Sequence, residues 1–163
     1  MAAAKDTAIR LEISGLLLDY NEAMFQSLHL NVVEGRVLIT GIVPSRELRL
    51  KAVTLATRVS GVREVIDEIQ VRQKYRVGNY AEDVWIKMQL VTAMLLDKHI
   101  QSINYSVETV DGIVYLIGIA QNGAEFSLVL DHARNIAHVK KIVSHVMLKD
   151  DPRRRATAQA AGY

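Results

Sequence analysis

A short hairpin sequence occurs twice in this chain, and that repetition limits the fold more than any other feature. Val32-Val33-Glu34-Gly35-Arg36-Val37-Leu38-Ile39-Thr40-Gly41-Ile42-Val43 returns as Thr109-Val110-Asp111-Gly112-Ile113-Val114-Tyr115-Leu116-Ile117-Gly118-Ile119-Ala120. Gly35 corresponds to Gly112 and Gly41 to Gly118, an offset of 77 at both positions. In each copy two apolar segments flank a Glu-Gly or Asp-Gly turn, with glycine supplying the positive φ that tight hairpin turns require. A fixed offset of this size describes two copies of one small supersecondary unit in tandem. Length agrees, since 163 residues suffice for two small domains.

The segments around each hairpin complete the unit. Asp6 or Thr7 is expected to cap a first helix running to about Asp19, with Ile9, Ile13, Leu16, Leu17 and Tyr20 along one apolar stripe. Residues 21–27 connect it to strands expected over Leu28–Val33 and Arg36–Val43. Ser45 then caps a second helix to about Val59, which buries Leu48, Ala52, Leu55, Ala56 and Val59. Gly61 ends it in a left-handed conformation, and a third strand spans Val62–Val71. After a polar, basic linker the order repeats. Helices are expected from about Ala81 to Asp97 and from Asn122-Gly123 to Ala137, with strands over 103–110, 113–120 and 139–148. The resulting boundaries are 6–71 and 80–148 for the two domains, 72–79 for the linker and 149–163 for a disordered basic tail. Each core is small, so stability is expected to be modest and each unit to draw on its twin.

These residues resemble the BON domain. The marks are the glycine spacing in VEGRVLITGIV, the alanine-containing helix in SRELRLKAVTLATRVSGVREV, and the SGV link into the final strand. The second copy departs from the pattern at His138, which stands where the first has Gly61, and in QNGAEFSLVLDHARNIAHV, a poor match for the usual second helix. The resemblance implies an α+β fold of two tandem αββαβ domains, each a three-stranded mixed sheet with two helices on one face. Similarity to dual-BON lipoproteins of Gram-negative bacteria implies a periplasmic, outer-membrane-associated, non-enzymatic protein that supports envelope integrity. In those lipoproteins a tryptophan near the start of the second domain's first helix contacts anionic phospholipid, and Trp85 of YAEDVWIKMQLV stands at the matching position. Their anchor is an acylated cysteine. This chain has none, so an anchor and a targeting segment are expected upstream of Met1.

The helix around Trp85 also stands out by its own pattern. At roughly 100° per residue, Ile86, Leu90, Ala93 and Asp97 fall in one arc, with Met94 at its edge. Val84, Met88, Val91 and Leu95 form a second apolar stripe on the opposite side. One stripe suffices to pack on the sheet; the other needs another partner. Lys87 and Lys98 lie between the stripes and Trp85 projects from the other flank, a composition suited to an interfacial membrane contact. Packing against the first unit, a second copy or an envelope protein would use the same stripe. The first helix lacks it, with Ala8 in place of the tryptophan and Ser14 and Gly15 interrupting the far side.

Other chemistry finds little support. Without cysteine there is no disulfide, thiol catalysis or thiolate metal site. No nucleotide, hydrolase or metalloprotease motif occurs, so no catalytic residue, cofactor or metal is expected. His29, His99, His132, His138 and His145 are scattered and read as solvated surface residues, and Asp131-His132 point to different helix faces. A net charge of +2, from 20 basic and 18 acidic residues, does not favour nucleic acid. Arg153, Arg154 and Arg155 would add weak attraction to an anionic surface.

Overall fold

The computed structural model describes residues 2–73 and 77–155, which form two compact units dividing between residues 75 and 76. Unit 1 runs α1 (Ala2–Tyr20), α2 (Glu22–Ser27), β1 (Leu28–Val33), β2 (Arg36–Val43), α3 (Arg46–Thr57) and β3 (Glu64–Val71). Unit 2 runs α4 (Val77–Leu96), a 3₁₀ turn (Ser102–Asn104), β4 (Tyr105–Val110), β5 (Ile113–Ala120), α5 (Gly123–Arg134) and β6 (Lys141–Leu148). Both sheets have the hairpin's second strand in the centre, antiparallel to the first strand and parallel to the last. The α+β architecture expected from the repeat is therefore present in both units. The offset of 77 holds in the strand registers: Leu28 faces Gly41 as Tyr105 faces Gly118, and Arg36 faces Glu64 as Ile113 faces Lys141.

In each unit the long first helix buries three residues four apart. Ile9, Ile13 and Leu17 enter the core of unit 1, and Ile86, Leu90 and Met94 that of unit 2. Helix α3 adds Ala52, Leu55 and Ala56 in unit 1, and α5 adds Val129 and Ala133 in unit 2. Alternate strand residues that share one face of the sheet, Val37, Ile39 and Val43 or Val114, Leu116 and Ala120, supply the other layer. Tyr20, expected on the α1 stripe, is instead half-exposed, with the Lys51 ammonium 4.8 Å from its ring centre.

The hairpin turns are held from outside. Glu34 (φ 51°) and Gly35 (φ 75°) both adopt left-handed backbone, as do Asp111 (51°) and Gly112 (75°). Adjacent positive φ values define a type I′ turn, which matches the twist of the strands it joins. It leaves two amides facing α1, and the Asp6 carboxylate takes both, from Glu34 N at 2.8 Å and Gly35 N at 2.9 Å. Asp83 repeats this on Asp111 N (2.7 Å) and Gly112 N (2.8 Å) in a buried setting. Gly41 and Gly118, also at positive φ, meet the incoming chain so closely that a Cβ would collide with the carbonyl of Ser27 or Asn104.

Several element ends differ from expectation. α1 starts at Ala2, so Asp6 lies within the helix and clasps the turn rather than capping. The connection at 21–27 contains α2, capped by the Asn21 side chain accepting from Met24 N at 2.8 Å; six residues are too few for a periodic signal. α4 begins within the expected linker, at Val77, and Asn79 donates to the Asp111 carboxylate at 2.9 Å. The last strands begin at Glu64 and Lys141, and β4 at Tyr105 after a 3₁₀ turn, because the preceding residues serve the helix ends. In the tail expected to be disordered, residues 152–155 form a helical turn with Arg153 on the Asp151 carboxylate, and residues 156–163 lie outside the described residues.

Replacing Asp83 with Ala is expected to cost unit 2 about 3 kcal/mol, because two buried amides lose a charged acceptor. Asp6→Ala, at a half-exposed site, should cost unit 1 less. Urea unfolding followed by Trp85 fluorescence for unit 2, and by circular dichroism for both, measures the difference. An Asp83→Ala protein as stable as the parent would contradict the clasp.

Candidate functional site

The helix α4 shows two faces. Ile86 and Leu90 are fully buried and Met94 nearly so, while Val84, Met88, Val91 and Leu95 are exposed, Leu95 at 70%. Trp85 on the adjoining flank is 45% exposed. The apolar surface continues past the expected stripe through Leu96 (79%) and reaches Ile103 (90%) on the 3₁₀ turn that abuts the end of α4. Sequence reasoning missed both residues. Leu96 lies outside the counted stripe, and Ile103 resembles the first residue of a strand. Tyr80, near the start of the helix, is also exposed. Among the described residues no helix is long and apolar enough to cross a membrane.

The two expected lysines fare differently. Lys98 is exposed at the C-terminal end. Lys87 forms an ion pair with Glu108 of β4 at 2.8 Å, so its ammonium already faces a carboxylate of the protein's own sheet. The His138 ring lies edge-on to Trp85, with ring centres 6.2 Å apart and planes at 78°. His138 occupies the left-handed region at φ 69°, where Gly61 sits at 88° in unit 1. A histidine there costs about 1 kcal/mol or more of backbone strain. Its ring packs on Trp85 with Nδ1 4.0 Å from Glu82 Oε1.

The histidines lie at the surface as expected, but His132 has a partner that their scattered spacing did not suggest. His132 Nε2 lies 2.8 Å from Asp97 Oδ2, and His99 Nδ1 lies 3.3 Å from Oδ1. This joins the end of α4 to the last turn of α5. Sequence distance hid it, since 35 residues separate Asp97 and His132. The His132 hydrogen bond, followed by the His99 amide, holds the Asp97 carboxyl below its ordinary value. Among the described residues no cluster of three or more His, Cys, Asp or Glu side chains is arranged to hold a metal.

A buried polar network also distinguishes unit 2. Glu125, 5% exposed in the first turn of α5, accepts from Tyr105 Oη (2.5 Å), Gln121 N (3.2 Å) and Gln101 N (3.3 Å). Burial and the neighbouring carboxylate push the Tyr105 phenol well up, so it remains a donor. The corresponding residues of unit 1, Leu28 and Leu48, are apolar. The network ties the segment after α4 to the start of α5.

Tyr105→Phe should destabilise unit 2 by about 2 kcal/mol, because a buried carboxylate loses its shortest donor. The Tyr105→Leu/Glu125→Leu pair, which reproduces unit 1, should recover much of that loss. Thermal unfolding compares them, and a pair less stable than the single variant rules this account out. Asp97 has a lowered folded pKa, so its contribution is present above its ordinary value of 3.8 and disappears as pH falls through the folded value. Asp97→Asn should therefore be less stable than the parent near pH 6, with the gap narrowing as the pH falls below 3.8 in urea titrations. A gap independent of pH would contradict the assignment.

The family model described as "BON domain" matches residues 5–73 and 82–150. A protein of Anaplasma centrale described as "Uncharacterized protein in gshII 5'region" is 39% identical over 151 residues, covering 92% of this chain and 99% of that one. Outer membrane lipoprotein DolP of Haemophilus influenzae is 30% identical over 143 residues, covering 87% of this chain and 66% of DolP. Osmotically-inducible protein Y of Escherichia coli is 27% identical over 146 residues, covering 88% and 73%. With two tandem matches spanning both folded units, the chain belongs to the BON domain family.

Proposed function

We propose that this protein is a non-enzymatic component of the bacterial envelope that binds anionic phospholipid at a membrane surface and supports outer-membrane integrity. Its relatives include a protein named as an outer-membrane lipoprotein and one named as osmotically inducible, which favours an envelope setting. The observation that carries the lipid reading is the outward face of α4, with Val84, Met88, Val91 and Leu95 exposed beside Trp85. A helix lying in the interface buries such a face among the acyl chains, keeps tryptophan at headgroup level and sets cations against phosphate. Lys98 is the better-suited cation, because Lys87 already faces Glu108. Leu96 and Ile103 extend the apolar area toward the same end. Affinity then comes from apolar burial plus charge attraction, so it falls with salt and on neutral lipid.

The same face could instead bury itself in a second copy of the chain or in an envelope protein. Large exposed apolar patches mark either kind of contact. Light scattering over a concentration series separates the readings: an oligomer whose Trp85 fluorescence is blue-shifted without lipid favours assembly.

Co-sedimentation with vesicles tests the lipid contact directly. Anionic vesicles should retain the parent, Leu95→Asp and Trp85→Ala should lose most binding, and Lys98→Glu should lose the preference for anionic over neutral lipid. Equal retention on both vesicle types, or full retention of Leu95→Asp, would overturn the proposal.

A further inference from the structure

Unit 2 carries a groove that does not involve the outward face of α4. It lies between α5 and β6 and has a volume of about 530 Å³, within the range of small-ligand sites. Phe126, Leu130, Val139 and Ile142 form its apolar lining, and all four are only partly buried, so a further apolar group would complete their burial. Arg134, Lys140 and Lys141 contribute the charge. Arg134 is shared with Asp131 at 3.1 Å in an exposed pair, and Lys140 with Asp111 at 3.0 Å. The exposed Arg134–Asp131 pair is worth little and yields readily to another anion, whereas Lys140 is tied to a buried carboxylate. Lys141 is exposed, and no ion pair is described for it among the described residues.

Comparison between the two units makes the groove specific to the second. In unit 1 the positions corresponding to Phe126 and Ser144 are Arg49 and Asp67, and these form an ion pair at 2.9 Å that bridges α3 and β3. Glu64 stands where unit 2 has Lys141, and is paired with Arg36. Unit 2 has therefore exchanged a bridging pair for an aromatic ring and a small hydroxyl, and on the rim it has Arg134 for Thr57 and Lys141 for Glu64, while Lys140 keeps the basic character of Arg63. A hydrophobic trough with a cationic rim complements an apolar chain that ends in an anion.

We infer that the α5–β6 groove binds a single-chain anionic amphiphile, its alkyl or acyl chain along Phe126, Leu130, Val139 and Ile142 and its head at Lys141 and Arg134. The same chemistry is offered by a free fatty acid and by one chain and the phosphate of a membrane lipid. The site is independent of the membrane contact proposed for α4, and either can fail without the other.

Titration of the full chain with monomeric decanoate, followed by backbone-amide NMR shifts, tests this. Saturable shifts are expected at Phe126, Val139 and Lys141. Trp85 fluorescence gives a second readout, since its ring rests on His138, next to Val139. Decanol, which lacks the charge, and inorganic phosphate, which lacks the chain, should each bind at least roughly tenfold more weakly. The Phe126→Arg/Ser144→Asp variant, which installs unit 1's bridging pair, and the surface variant Lys141→Glu should both weaken decanoate by roughly tenfold or more. Both should leave sedimentation with anionic vesicles unchanged if the lipid source is free. Loss of vesicle binding together with decanoate binding would identify a membrane lipid as the occupant. Circular dichroism checks that the double variant is folded; if it is not, Lys141→Glu decides alone. Absence of saturable shifts, shifts confined to α4, phosphate or decanol matching decanoate, or indifference to the folded variants overturns the inference.

Discussion

A single carboxylate in the first helix of each unit clasps the two amides of a type I′ turn, and the rest of the unit depends on that clasp. Asp6 does this in unit 1 and Asp83 in unit 2, each with two short hydrogen bonds. The turn requires two successive left-handed residues, only one of which is glycine. A charged acceptor offsets the strain and fixes the helix along the hairpin at the same time. With that alignment set, Ile9, Ile13 and Leu17, or Ile86, Leu90 and Met94, meet the strand residues of their own sheet. The close approach at Gly41 and Gly118 completes the path from helix to sheet, and no side chain fits there.

On this shared frame the two copies have separated in chemistry. Unit 1 closes itself with ion pairs and apolar contacts: Arg49 with Asp67, Arg36 with Glu64, and Leu28 in the core against which Leu48 packs. Unit 2 puts a buried Tyr105–Glu125 network in place of the two leucines and an open basic groove in place of the bridging pair. It accepts a strained His138 where glycine would be relaxed, and the imidazole lies edge-on to Trp85. Strain of this kind persists when its surroundings over-determine it, and it marks positions serving more than the backbone. The outward apolar face of α4, the strained His138 and the groove between α5 and β6 all belong to unit 2.

Much of the fold was legible in the chain because it rests on local patterns. The hairpin strands Leu28–Val33, Arg36–Val43 and Ile113–Ala120 follow from alternation and turn residues, and the Gly61 terminus from its chemistry. Short or polar features were not legible. α2 has too few residues for a period, and Asn79 belongs to a helix that begins among polar linker residues. For the candidate site, helical spacing separated the inward from the outward stripe of α4, since that division depends only on the angle between successive residues. It could not show that Lys87 turns to Glu108, or that Leu96 and Ile103 extend the surface.

The sequence by itself determined the number of units, their order of helices and strands, and which helix carries a surplus apolar face, because repetition and periodicity are properties of neighbours along the chain. Only the tertiary structure decided what depends on residues brought together across it. Asp6 and Asp83 became turn clasps, Asp97 acquired His132 as a partner, and Glu125 received the Tyr105 hydroxyl. The cationic groove appeared only once α5 and β6 lay side by side. The physical reason is one of range: a hydrogen bond or ion pair acts over about 3 Å in space and leaves no periodic trace along the chain.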